Sequence, residues 1–167
     1  KKKFTINEVE TLMPNCRGII AGTELYNKEI VSKGKNLKVI SRIGVGLDNV
    51  DLGYAAEKNI AVETTKTDLS KSVAELNLTM VLAMYKNILK NHNNVQNKSF
   101  KKVSGQMLTN KTVGIMGLGK IGKSTVKMLE HFNCEILAYD LKSDAKFNDR
   151  YKVKMVELDY IFTNSDV

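Results

Sequence analysis

Residues Lys111–Asp140 read KTVGIMGLGKIGKSTVKMLEHFNCEILAYD, and the fold turns on this stretch. Thr112, Val113, Ile115 and Met116 form a short apolar run. Gly117, Gly119 and Gly122 follow with G-x-G-x-x-G spacing. Ile121, Thr125, Met128, Leu129 and Phe132 then recur at helical spacing, which predicts an amphipathic helix with these residues on its buried face. A second apolar run, Ile136–Tyr139, ends on Asp140. Strand, glycine turn, helix, strand and terminal acid in that order describe a βαβ unit built to receive a dinucleotide.

Each glycine has a separate physical task in such a unit. Gly117 allows the tight turn, Gly119 leaves the backbone open to a pyrophosphate, and Gly122 lets the helix lie close to the sheet. The helix N-terminus presents unpaired N–H groups and a partial positive charge to the diphosphate. Asp140 can accept hydrogen bonds from ribose hydroxyls and would repel a 2′-phosphate, so NAD is expected in preference to NADP.

Working outward, composition sets the limits. The 167 residues suit one domain or parts of two, and a chain 43% hydrophobic and 26% charged has the balance of a globular protein. No apolar run approaches a membrane span, and no signal peptide is visible. Cys16 and Cys134 lack metal-like spacing and read as reduced thiols, which points to the cytoplasm. The net charge of +8 raises the question of a nucleic-acid partner. The lysines are scattered, however, and the cluster Lys98, Lys101, Lys102 beside Phe100 carries no recognition motif, so a solvated basic surface is expected and no nucleic acid or membrane partner. Lys1–Lys3 open the chain without a methionine, from which a missing start is expected.

Upstream of the glycine turn, strands and helices alternate, which predicts a parallel sheet covered on both faces. A helix over Glu8–Met13 ends at Pro14; strands follow at Gly18–Ala21, Leu37–Ser41 and Ile60–Val62. Between them lie short helices capped by Asn27 and Asp51. A glycine-rich loop, Arg42-Ile43-Gly44-Val45-Gly46-Leu47-Asp48-Asn49, follows the second strand. Ser72 and Glu75 have capping-box spacing, and a helix over 72–89, apolar nearly all round, is expected to bridge two domains or line a dimer contact. Asn91–Gly105 is polar and basic and reads as a linker or exposed arm. After Asp140 a short strand at Val153–Val156 and a brief helix or turn at Leu158–Phe162 are expected, with another strand due where the chain ends.

Three segments, LKVISRIGVGLDNVDL, the SVAEL helix and KTVGIMGLGKIG…AYD, together resemble the D-isomer-specific 2-hydroxyacid dehydrogenases, and most closely their phosphoglycerate-dehydrogenase-like branch. The resemblance covers about Gly18 to Val167 in the right order and implies a chain truncated at both ends. It implies an α/β protein: a partial flavodoxin-like substrate domain over residues 1–95, followed by the first half of a Rossmann NAD-binding domain over residues 106–167. It further implies a homodimer and hydride transfer between a 2-hydroxy or 2-keto acid and NAD in a cleft between the domains. Carried over by position, Val45 and Gly46 would hold the substrate carboxylate through their backbone, with Val45 also near the nicotinamide. Gly117, Gly119, Lys120, Ile121, Gly122 and Asp140 would bind the cofactor. The catalytic arginine, glutamate and histidine of the family would lie beyond Val167. Neither His92 nor His131 replaces the histidine, and neither Arg17 nor Arg42 stands at the arginine's position.

The chain departs from the family pattern at Ala21-Gly22, which argues against phosphoglycerate as the substrate. It also departs at Thr64-Thr65-Lys66, where a proline-fixed turn is lost; at Lys120 in place of arginine; and at Leu141 after the acid. The resulting expectation is an NAD-dependent oxidoreductase of which this piece alone is inactive. The alternative is a non-enzymatic NAD-sensing binding protein on the same fold.

Overall fold

Two parallel sheets, each with its own apolar core, organise the computed structural model, which describes residues 4–167. The opening Lys1–Lys3 lie outside the described residues. One unit ends at Thr67 and the other runs Asp68–Val167.

In the first unit, local chemistry sets the helix starts. Thr5 and Glu8 form a reciprocal capping box for α1 (Ile6–Leu12), and a 3-10 turn containing Pro14 ends it. β1 (Gly18–Ala21) leads to α2 (Lys28–Val31), where the side chain of Asn27 accepts from the Ile30 N–H at 3.0 Å. β2 (Val39–Arg42) leads to α3 (Leu52–Glu57), where Asp51 accepts from the Tyr54 N–H at 2.9 Å. β3 (Ala61–Thr64) completes a sheet of order β1-β2-β3, with Ile19, Ile40 and Val62 in register. Ile30, Val31, Ala55 and Met13 pack on the Ile40 face.

The opposite face exposes Ile20, Val39, Ser41, Ala61 and Glu63, so among the described residues this sheet is covered on one side only. The alternating pattern predicted cover on both. The difference follows from topology: right-handed crossovers that step repeatedly in one direction set their helices on one face.

The second unit carries α4 (Ser70–Tyr85), α5 (Ile88–Gln96), β4 (Thr112–Met116), α6 (Lys120–Leu129), β5 (Glu135–Tyr139), α7 (Ala145–Tyr151), β6 (Val153–Met155) and α8 (Leu158–Asn164). Its sheet has the order β4-β5-β6, all parallel. After α8 the chain returns to the free edge of β4, where the Gly114 N–H donates to the Val167 carbonyl and the Asp166 N–H to the Thr112 carbonyl, both at 2.8 Å. These bonds hold the residues after α8 against the edge of β4. Gly114 makes this possible, because a Cβ there would collide with Ser165 and Ile161.

Three expectations are corrected. The helix expected over 72–89 runs Ser70–Tyr85, and no side-chain cap forms at Ser72; Asp68 instead accepts from the Ser70 N–H at 2.9 Å. Asn87, in the left-handed conformation at φ 51°, separates α4 from α5, and asparagine tolerates that region better than most residues. The helix is also not apolar all round in its packing. Leu78, Val81, Leu82 and Tyr85 join the second core, while Leu76, Met80 and Met84 stay exposed, so α4 packs with the second unit. On α6, Leu129 is buried and Phe132, just beyond the helix, packs on the core as expected, but Gly122 and Val126 complete the buried face and Ile121 is exposed.

The stretch read as a linker begins as the end of α5, and part of the remainder is fastened to that helix. Asn91 donates to the Val103 carbonyl and accepts from its N–H, both at 2.9 Å; Asn87 donates to Ser104 O at 2.8 Å and Asn94 to Lys101 O at 2.6 Å.

Candidate functional site

β4 delivers the chain into a turn whose start is fixed by β5, since the Gly117 N–H donates to the Tyr139 carbonyl at 2.8 Å. Gly117 has φ +100°, a conformation that glycine adopts without penalty. Gly119 is the N-cap of α6 and makes no side-chain cap bond, so the first-turn N–H groups lack the partner that a serine or aspartate would supply. A Cβ built on Gly117 or Gly119 would meet nothing within 4 Å, and the turn therefore fronts open space. Gly122 is the reverse case: a Cβ there would collide with the Gly117 carbonyl and lie 3.3 Å from Ile115. Lys120 and Ile121 occupy the first turn of α6 and are exposed.

Asp140, at the end of β5, reaches back to this turn. One carboxylate oxygen accepts from the Leu118 N–H at 2.6 Å and the other from the Lys142 N–H at 2.9 Å. The backbone donors of Lys142 and then Leu118 hold its carboxyl below the ordinary aspartate value, so it is ionised at neutral pH. Gly117, Gly119, Lys120, Ile121, Gly122 and Asp140 thus cluster in the second unit.

Val45 and Gly46 belong to the first unit, on the loop after β2, where both are exposed. Their loop is braced from a distance. The Gly44 N–H donates to Thr65 Oγ1 at 2.9 Å, the Thr65 N–H donates back to the Gly44 carbonyl at 3.0 Å, and Gly44 has φ +133°. Arg42 donates to Asn49 Oδ1 at 3.3 Å, and Asn49 donates to the carbonyls of Gly22 and Glu24 at 3.1 and 2.6 Å. Sequence reasoning missed Thr65, Asn49 and the Leu118 N–H. Thr65 stands 21 residues from Gly44, and no local pattern signals so distant a bond.

His92 and His131 are both exposed, in α5 and in the turn Glu130–Phe132. Among the described residues no group of three or more His, Cys, Asp or Glu side chains could hold a metal ion, and no helix is long and apolar enough to cross a membrane.

Residues 78–167 match the model of the NAD-binding domain of D-isomer-specific 2-hydroxyacid dehydrogenases. The chain belongs to this family. A hydroxypyruvate reductase from Thermotoga maritima is 38% identical over 150 residues, covering 89% of this chain and 48% of the relative. A D-3-phosphoglycerate dehydrogenase from Archaeoglobus fulgidus is 33% identical over 158 residues, covering 93% and 30%. The crystal structure of D-lactate dehydrogenase from Aquifex aeolicus, complexed with NAD and lactic acid, superposes with a TM-score of 0.80 at 26% identity, covering 98% of this chain and 49% of that one. The chain thus spans about half or less of these relatives.

The cofactor of the family domain is NAD, and the second unit of this chain suits one. Open space before Gly117 and Gly119, free N–H donors at an uncapped helix start and a carboxylate acceptor at the turn suit a dinucleotide's diphosphate and ribose hydroxyls.

Proposed function

We propose that this chain supplies the carboxylate-binding loop and the adenosine half of the NAD site to an oxidoreductase that interconverts a 2-hydroxy acid and its 2-keto acid. The observation that carries the reading is the Asp140 carboxylate bonded to the Leu118 N–H at 2.6 Å, which sets the ribose acceptor against the diphosphate turn. In this reading Gly117, Gly119, Lys120 and Ile121 bind the diphosphate through first-turn N–H groups and the Lys120 charge, and Gly122 permits the close helix. Asp140 takes the ribose hydroxyls and excludes a 2′-phosphate.

NAD, when bound, supplies the hydride acceptor. The chain's own residues bind and orient. Val45 and Gly46 present backbone N–H groups to the substrate carboxylate from a loop that Thr65 holds in shape. The first unit serves as part of the substrate domain and the second as part of the NAD-binding domain. A cytoplasmic homodimer is the proposed setting. Exposed Leu76, Met80 and Met84 on α4, with Leu89 and Val95 on α5, offer the apolar surface a second copy would cover.

Calorimetric titration of the chain tests the cofactor reading. ADP-ribose and NADH should bind and NADPH should not, with affinity for ADP-ribose lost in Asp140→Ala. Equal binding by Asp140→Ala and the unmodified chain, or no binding by either, would overturn it.

A further inference from the structure

Asp140 sits at the start of a loop that needs anchoring. Leu141 is 89% exposed, and no apolar side chain between Asp140 and Asp144 enters the core. The far end of the loop is held by Asp144, which does two things at once. It caps α7, accepting from the Phe147 N–H at 3.2 Å, and it receives the ammonium of Lys123 at 2.6 Å. Lys123 is itself boxed in. Its Nζ stands 5.2 Å above the Phe147 ring, and that ring lies against Tyr151, tilted by 35° with centroids 4.6 Å apart. Its backbone N–H donates to the Gly119 carbonyl at 2.9 Å, so the same residue belongs to the first turn of α6.

We infer that Lys123 is a positioning residue: by holding Asp144 it ties the loop 140–144 to the first turn of α6 and fixes the Asp140 carboxylate for the adenosine ribose. The inference rests on the NAD reading above. A half-exposed ion pair contributes little to global stability. Its effect here lies in where it is attached, at a helix that faces the diphosphate and a loop that carries the ribose acceptor. The low carboxyl affinity of Asp144 for protons, caused first by Lys123, keeps the tie intact at neutral pH.

A lysine near a diphosphate could instead act through its charge alone, and Asp144→Asn separates the two. Asparagine keeps the cap on α7, releases Lys123 and leaves its charge in place. Positioning predicts that ADP-ribose binds Asp144→Asn about five- to tenfold more weakly, with Lys123→Met alike, Lys123→Arg within about twofold of the unmodified chain, and the double variant no weaker than either single one. Charge alone predicts that Asp144→Asn binds as tightly or more tightly, and that result overturns the inference. Amide hydrogen exchange gives a readout free of ligand: the Leu118 and Lys142 amides should exchange faster in Asp144→Asn. Unchanged exchange at both also overturns it. Should Asp144→Asn fail to fold, Lys123→Gln read by the same exchange decides. If the unmodified chain does not bind ADP-ribose, the NAD reading fails as well; if it binds and Asp144→Asn matches it, only the inference fails.

Discussion

Two glycines three positions apart should respond in opposite ways to one methyl group. At Gly122 a Cβ would strike the Gly117 carbonyl, so Gly122→Ala should lower stability by about 1–3 kcal/mol in chemical denaturation. At Gly119, with φ −72° and nothing within 4 Å, Gly119→Ala should change stability by less than about 1 kcal/mol. It should nevertheless weaken ADP-ribose binding about tenfold or more in calorimetry, because the methyl fills the space before the helix start. Acid makes a second residue-scale prediction. Asp140, Asp144 and Asp166 all hold their carboxyls below the ordinary value of 3.8. A depressed folded-state value adds stability that is complete above 3.8 and is lost as pH falls through the lower folded values. Denaturation midpoints should therefore decline below about pH 4, and Asp140→Asn should flatten that decline. The glycine and aspartate positions were legible from spacing alone. Thr65 and Lys123 were not, because their partners lie 21 residues away in each case.

Among the elements, short helices announced themselves through their caps, and Asn27 and Asp51 cap where the sequence placed them. The long helix did not, because its N-terminal N–H is met by Asp68 from two residues outside and its interior break is a single left-handed asparagine. The segment after it shows the limit of composition as a guide. Asparagines usually mark loops, yet Asn87, Asn91 and Asn94 lie one turn apart and clasp an extended strand of chain to α5. Asn91→Ala removes both bonds to Val103. Trypsin should then cleave at Lys101 and Lys102 about tenfold faster, as followed by mass spectrometry, while the far-ultraviolet circular dichroism stays unchanged.

For the whole molecule, separate cores imply separate cooperative transitions. Met13, Ile40 and Val31 anchor one and Leu108, Val126 and Leu129 the other, without shared members. Calorimetric melting should resolve two steps, and NADH should raise only the step that belongs to Asp68–Val167, by about 1.4 kcal/mol at tenfold excess over its dissociation constant. A single transition shifted as a unit would mean that the cores melt together. The α/β class was readable from alternation, whereas the one-sided cover of the first sheet was not, since hydrophobic pattern does not encode the direction of each crossover. The bond from Leu118 to Asp140 has a kinetic corollary. A mould already set before its nucleotide arrives needs no rearrangement on encounter. Stopped-flow traces should be single exponentials whose rate climbs in a straight line with nucleotide concentration, without a plateau.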